Sequence, residues 1–113
     1  MKLIDKPITG KELKEIASNI FGDFVKTVVD TEKEIMAIDA SMHADLEKYL
    51  LDQGSKQDDL WGINLYPDLP PDQLIEFDSM INIRPGLNNF SRGVENKAVR
   101  ERIVEIVNKL IPA

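Results

Sequence analysis

Three segments with the apolar spacing of α-helices alternate with two pairs of β-rich runs, and this order restricts the fold more than any other feature. The helical segments begin near Thr9, Ser41 and Asn96. The β-rich runs lie at residues 24–30, 34–39, 60–66 and 74–85. Apolar residues at every third or fourth position favour helices, whereas branched residues in short runs favour strands. We therefore predict one α+β domain over residues 1–113, in the order α-β-β-α-β-β-α. Its antiparallel sheet should have about four strands, with the helices packed on one face.

The predicted helices carry recognisable start signals. Thr9, with Glu12 three residues later, forms a capping box for the first helix. In the second helix, Ser41 is the predicted cap, and Met42 belongs to the apolar stripe that should face the core. Asn96 should cap the third helix.

The composition excludes several classes of site and partner. The chain has no cysteine, so disulfides, thiolate metal sites and cysteine nucleophiles are excluded. Its formal net charge of −6 makes nucleic acid an unfavourable partner, because an acidic chain repels phosphate backbones. The N-terminal residues lack the apolar core of a secretion signal, and no run approaches the ~20 apolar residues of a membrane span. We therefore expect a cytoplasmic protein without a membrane partner.

The run from residue 74 to residue 85 alternates apolar and polar side chains almost without a break. As a strand, it would turn four apolar side chains to the core, namely Ile75, Phe77, Ile81 and Ile83. Its other face would present a rigid polar row of candidate ligand-binding residues, namely Glu76, Asp78, Asn82 and Arg84. The two carboxylates can share a cation or flank a polar ligand, and the guanidinium can bind a carboxylate or phosphate in a fork. The alternative is an ordinary solvated face of an antiparallel sheet.

The loop over residues 86–96 is a second candidate surface. Asn88, Ser91 and Arg92 lie within five positions and precede Gly93. An arginine beside a glycine, ahead of a helix N-terminus, is suited to binding an anion. The alternative is a loop whose polar side chains satisfy its own backbone.

His43, the single histidine, is a weaker candidate. Histidine can act as an acid, a base or a metal ligand. No second histidine stands at a metal-ligand spacing, so we predict no metal site, and a surface or capping role for His43 is the alternative. Glycine-rich nucleotide-binding loops are missing as well, so no cofactor is predicted.

Three stretches together resemble a known family: LLDQGSKQDDLWGINLYP, IEFDSMINIRP and NFSRGVENKAVRERIVEIVNKLI. That family consists of small bacterial and archaeal proteins grouped as a domain of unknown function. The resemblance extends over nearly the whole chain. It implies a stand-alone cytoplasmic prokaryotic protein, and it assigns no activity, substrate, cofactor or catalytic residue.

Two functional hypotheses follow from these residues. The first is a binding or accessory module, able to form a homo-oligomer, whose polar sheet face and 86–96 loop contact an anionic small molecule or a protein partner. The second is a small hydrolase or nuclease, in which His43 or a carboxylate acts as the base and Arg84 and Arg92 stabilise an oxyanion or phosphate. The second hypothesis is favoured if His43, Asp78 and Arg92 converge within hydrogen-bond reach in a pocket, and it fails if they lie on different faces.

Overall fold

The computed structural model describes residues 1–112, in which strands and helices follow the order β-α-β-β-α-β-β-α. The strands are β1 (Lys2–Ile4), β2 (Val25–Asp30), β3 (Ile35–Ile38), β4 (Leu60–Leu65) and β5 (Ile75–Glu76). The helices are α1 (Gly10–Ile20), α2 (His43–Asp52) and α3 (Lys97–Leu110). Short 3-10 turns occupy Gln57–Asp59, Pro71–Gln73, Met80–Asn82 and Pro85–Leu87. The α+β class is confirmed.

The strands form one antiparallel sheet in the order β1-β3-β2-β4-β5. Strands β2 and β4 form its centre, in register from the pair Val25 and Leu65 to the pair Asp30 and Leu60. Strand β1 was missed in the sequence, because three residues are too few for an alternation to be recognised. It pairs with β3, so the sheet has five strands rather than about four.

Helices cover both faces of the sheet, so the predicted one-sided packing is wrong. Leu13 of α1 and Ile106 of α3 share a core cluster with Ile63 of β4. Leu46 of α2 belongs to a second cluster with Val28 of β2, on the opposite face. All six residues of β4 are buried, as expected for a strand covered on both sides. The second layer encloses a site between α2 and the sheet.

The first and third helix caps are confirmed. Thr9 Oγ1 accepts the backbone N–H of Glu12 at 3.1 Å, and Asn96 Oδ1 accepts the backbone N–H of Val99 at 3.1 Å. Each of these bonds satisfies a donor that the first turn of a helix leaves free. These two helix starts are therefore local properties of the sequence.

The predicted start of the second helix is wrong. Helix α2 begins at His43, and its cap position is Met42, whose side chain makes no capping hydrogen bond. Ser41 therefore lies before the cap. Met42 is 55% exposed rather than part of the buried stripe, because it precedes the helix instead of lying on its inner face.

The prediction of one strand over residues 74–85 is wrong beyond Glu76, where β5 ends. A continuing register would place Asp78 opposite Gly62 of β4. Instead, the Asn82 side chain forms hydrogen bonds with both the N–H and the carbonyl of Gly62. The Gly62 N–H donates to Asn82 Oδ1 at 2.8 Å, and Asn82 Nδ2 donates to the Gly62 carbonyl at 2.9 Å. A side chain therefore replaces the strand as the partner of β4.

The side chains after Glu76 accordingly depart from the predicted alternation. Phe77 still packs against the core of α1 and α3, but Ile81 packs on the α2 side. Asn82 is fully buried rather than on an open face, and Ile83 is 39% exposed rather than in the core. The polar row of the sequence analysis therefore does not exist as one surface.

Candidate functional site

A cavity of about 510 Å³ opens between the start of α2, strand β4 and the segment after β5. Its charged lining residues are Lys26, Glu76, Asp78 and Arg92, and its polar uncharged ones include His43, Asn64 and Tyr66. The cavity therefore brings together four of the candidates singled out in the sequence, namely His43, Glu76, Asp78 and Arg92. The separate polar surfaces expected on the sheet and on the loop meet here.

Three polar side chains form a row across the sheet floor of the cavity. In the strand register, Lys26 of β2 lies opposite Asn64 of β4, and Asn64 lies opposite Glu76 of β5. Because side chains alternate along a strand, Lys26 points to the same face as Val28, which packs against α2. The row thus presents an ammonium, a carboxamide and a carboxylate on adjacent strands, which are about 4.8 Å apart.

Glu76 is held in place by two donors. Asn64 Nδ2 donates to Glu76 Oε1 at 2.8 Å, and the Tyr66 hydroxyl donates to the same oxygen at 3.2 Å. Desolvation, and after it the Glu76 carboxylate, raise the pKa of Tyr66, so the phenol stays protonated and remains a donor. Asn64 Oδ1 is buried and has no hydrogen-bond partner among residues 1–112.

Asp78 and Arg92 form an ion pair on the solvent side of the cavity. Arg92 Nε lies 2.7 Å from Asp78 Oδ1, and Arg92 Nη2 donates to Asp78 Oδ2 at 3.2 Å. The Arg92 carbonyl accepts the N–H of Ser79 and Nδ2 of Asn82, each at 2.9 Å. Both side chains of the pair are partly exposed, so it contributes little to stability. Its backbone is fixed, however, and its charges remain accessible to a ligand.

His43 is buried in the cavity wall, so the alternative of a surface role is wrong. Its Nε2 lies 2.8 Å from the Ile63 carbonyl. Desolvation is the main cause that lowers the pKa of His43; Lys26 and Arg92 lower it further, while the Ile63 hydrogen bond and Asp78 raise it. The ring is therefore neutral at neutral pH, and Nε2 carries the proton because a carbonyl only accepts. Nδ1 keeps a lone pair, to which no group within residues 1–112 donates.

The buried neutral imidazole predicts a pH dependence of stability. The pKa of His43 is lower in the folded protein than its ordinary value of 6.5, so the unfolded chain takes up the proton first as the pH falls. Its contribution is fully present above about pH 6.5 and is lost as the pH falls toward the folded pKa, with a slope of at most ~1.4 kcal/mol per pH unit. We expect wild type to lose more unfolding free energy than His43→Gln between about pH 7.5 and about pH 5.5 in urea titrations. Equal losses in the two proteins would contradict this account.

Lys26 stands at the end of an aromatic stack. It forms no salt bridge in the part of the chain that the structure describes. Its Nζ lies 5.6 Å from the ring centre of Phe21. Phe21 stacks on Phe24 with 4.4 Å between ring centres, and Phe24 stacks on Tyr66 with 5.4 Å. The aromatic rings therefore flank an ammonium group that forms no ion pair within residues 1–112.

Asn82 and Arg84, two members of the predicted polar row, contact the protein's own backbone outside the cavity. The Arg84 guanidinium lies over the Trp61 ring, with 4.4 Å between Cζ and the ring centre. It donates to the carbonyls of Gln57 and Leu60. Arg84 Nε is buried without a partner among residues 1–112. These donors link the loop to the start of β4, and Arg84 does not line the cavity.

Asn88 and Ser91 serve the loop itself. Asn88 has φ 57°, a left-handed conformation that asparagine tolerates better than most residues. The N–H and the hydroxyl of Ser91 contact Glu95 Oε2 at 3.0 and 3.3 Å. Asn89, next to Asn88 in the same loop, donates to three backbone carbonyls and accepts the Glu95 N–H. Of the candidates predicted in this loop, Arg92 lines the cavity.

Sequence reasoning missed three of the cavity residues, namely Lys26, Asn64 and Tyr66. A signal for two of them is present. Lys26 is the one charged residue in the run FVKTVV, and Asn64 is the one polar residue in the apolar run LWGINL. A buried polar residue in a central strand requires hydrogen bonds or a functional reason, so such interruptions are useful indicators. Tyr66 follows the strand and carries no comparable signal.

Residues 1–112 contain neither a cluster of metal-binding side chains nor a membrane-spanning helix. No group of three His, Asp or Glu side chains is arranged there to hold a metal ion. No helix there combines the length and the apolar character needed to cross a bilayer.

Comparison with known proteins identifies a family without an activity. A family model described as "Protein of unknown function (DUF5674)" matches residues 2–110. No curated protein and no solved structure matches the chain. The resemblance to a domain of unknown function is confirmed, and the function has to be argued from the cavity.

Proposed function

Because the chain belongs to DUF5674, a family of unknown function, we propose from the cavity alone that it is a small-molecule-binding module whose ligand carries an anionic group. The observation that carries this proposal is the convergence of Lys26 and Arg92 on one cavity. The volume of about 510 Å³ suits a small ligand, since such pockets typically measure about 300–1,000 Å³.

Both cations have binding capacity to spare. Lys26 forms no salt bridge within residues 1–112, so its charge is matched by no carboxylate there. Arg92 contacts Asp78 through Nε and Nη2, which leaves further N–H donors of the guanidinium for a ligand. An anion between these two groups would gain charge-assisted hydrogen bonds, which are stronger than those between neutral groups.

Isothermal titration with a panel of small carboxylates and inorganic phosphate tests this proposal. For the anion that binds best, we expect Lys26→Gln and Arg92→Gln each to raise Kd by about tenfold or more, because each removes a charge-assisted hydrogen bond. Lys11→Gln is the matched control. Lys11 is an exposed lysine on α1, which packs on the opposite face of the sheet.

The Lys11→Gln variant should bind as tightly as wild type. Equal affinity of all three variants would show that the anion binds elsewhere, and a panel without any binder would overturn the proposal. Thermal unfolding midpoints of the variants, compared with wild type, separate lost binding from lost folding.

A small hydrolase or nuclease is the second candidate, and the state of His43 favours it. A neutral imidazole with a free Nδ1 lone pair has the form that a general base requires. Arg92 lines the same cavity, although it bonds Asp78 and not the imidazole. Hydrolysis of model esters or phosphodiesters that His43→Gln abolishes, with anion affinity retained, would favour this candidate. Binding without turnover would favour the module.

A further inference from the structure

We propose that the ligand is a zwitterion, a free amino acid whose carboxylate lies toward Lys26 and whose ammonium lies toward Glu76. This inference rests on the proposed function and names the ligand class of the same cavity. The observation that carries it is that Lys26 and Glu76 line the same cavity with opposite charges and form no salt bridge with each other.

Lys26 and Glu76 are both unpaired in the described structure. Neither side chain forms a salt bridge within residues 1–112, whereas Asp78 and Arg92 form an ion pair with each other. Strand β4 separates β2 from β5, so the backbones that carry Lys26 and Glu76 lie about 10 Å apart. A simple anion would match Lys26 and leave the carboxylate of Glu76 uncompensated nearby. A zwitterion supplies both missing counter-charges.

The acidic side of the cavity also offers acceptors that lack donors. Both hydrogen bonds to Glu76 reach Oε1, so no group of residues 1–112 donates to Oε2. His43 Nδ1 is an acceptor as well, since its Nε2 is committed to the Ile63 carbonyl. A primary ammonium carries three N–H donors and no acceptor, which complements such a surface.

Asn64 adds a buried acceptor to this part of the wall. Its side chain is 7% exposed, its Nδ2 is bound to Glu76, and its Oδ1 has no partner among residues 1–112. A buried oxygen without a donor is unfavourable. A small shift of the carboxamide on ligand entry would let the ammonium donate to Oδ1. The orphaned oxygen therefore points to a donor-bearing ligand and not to an anion alone.

The rim of the cavity is apolar and suits an aliphatic portion of the ligand. Met42 and Met80 line the cavity and are 55% and 66% exposed. Methionine side chains adapt to the shape of an apolar group, and Phe24 provides a rigid surface beside them. An amino acid with an aliphatic chain matches both the charged floor and this rim.

Isothermal titration with four probes tests the inference. L-leucine and 6-aminohexanoic acid carry both charges at different separations, N-acetyl-L-leucine lacks the ammonium, and L-leucinamide lacks the carboxylate. We expect the better zwitterion to bind about tenfold or more tightly than either blocked leucine, because each block removes a charge-assisted interaction.

Two variants test which residue binds the ammonium end of the ligand and which binds its carboxylate end. Glu76→Gln should weaken zwitterion binding by about tenfold without weakening the binding of N-acetyl-L-leucine, whereas Lys26→Gln should weaken the binding of both. Glu15→Gln, an exposed glutamate on α1, is the matched control for Glu76 and should change neither affinity. A thermal unfolding midpoint close to that of wild type shows that each variant is folded.

The outcomes separate this inference from the proposed function. If N-acetyl-L-leucine or another simple anion binds as well as both zwitterions, the ligand class is overturned while the anion-binding module survives. If Glu76→Gln leaves zwitterion affinity unchanged, the assignment of the ammonium end is overturned. If no carboxylate binds but inorganic phosphate does, only the ligand class is overturned; if neither binds, both proposals fail.

Discussion

Replacing Asn82 by alanine should lower the free energy of unfolding by about 3–5 kcal/mol, the largest effect that we expect. The side chain is fully buried and serves three backbone groups. Its loss leaves the N–H and carbonyl of Gly62 and the carbonyl of Arg92 without this partner. Buried groups left unpaired cost about 1–3 kcal/mol each. Urea denaturation followed by the fluorescence of Trp61, the single tryptophan, measures the loss.

Asn108→Ala provides the matched control for that substitution. Asn108 is exposed on α3, and its side chain makes no hydrogen bond within residues 1–112. Its replacement should change the free energy of unfolding by less than about 0.5 kcal/mol. A loss below about 1 kcal/mol for Asn82→Ala would contradict the role of the carboxamide as the partner of β4.

Gly62→Ala should lower the free energy of unfolding by about 1–3 kcal/mol through overpacking. A β-carbon on Gly62 would lie 2.5 Å from Ser79 Cβ and 2.6 Å from Ser79 Oγ. Ser79 cannot withdraw easily, because its N–H is bonded to the Arg92 carbonyl at 2.9 Å. The same urea titration would measure the loss in the free energy of unfolding. Amide chemical shifts of the folded variant, measured by NMR, would detect the displacement of residues near Ser79.

Gly10→Ala is the control for the glycine substitution. A β-carbon on Gly10 would meet nothing within 4 Å, and the residue begins α1. Alanine there should leave stability unchanged or raise it by about 0.4–1 kcal/mol, since it restricts the unfolded chain. If Gly62→Ala were as harmless as Gly10→Ala, the close crossing of Ser79 over β4 would not be a constraint on this fold.

The contacts probed by these two substitutions also shape the candidate site. Asn82 and Ser79 both donate to the Arg92 carbonyl, and Arg92 in turn holds Asp78. The crossing over Gly62 thus positions the ion pair at the cavity. Stability and the geometry of the site depend on the same few bonds in this part of the molecule.

Local signals predicted the helical segments and strands β2 and β3 well. Thr9 and Asn96 cap α1 and α3 because a cap needs a partner only three residues away. Strands β2 and β3 fall within the two β-rich runs predicted for them. Helix α2 begins one residue later than predicted, with Met42 and not Ser41 at the cap position, which shows how weak a single cap residue is as a signal.

The site could be predicted only in part. Glu76, Asp78 and Arg92 were candidates by chemistry, and the structure brings them into one cavity with His43. Their neighbours Lys26 and Asn64 were not candidates, because polar residues in apolar runs gain meaning only when the facing strand is known. Arg84 also has a guanidinium that could bind an anion, but this group stacks on Trp61 and donates to two backbone carbonyls.

The sequence by itself determined the α+β class, both confirmed helix caps and the central strands, since these depend on contacts between residues close in the chain. Tertiary structure decided where β5 ends and which charges share a cavity. An alternating pattern fits a strand equally well whether or not a partner edge is free. Here the side chain of Asn82 hydrogen-bonds the backbone of Gly62, twenty positions away, and the chain turns toward α2. The pairing of β2, β4 and β5, which also joins segments distant in the chain, leaves Lys26 and Glu76 facing one space.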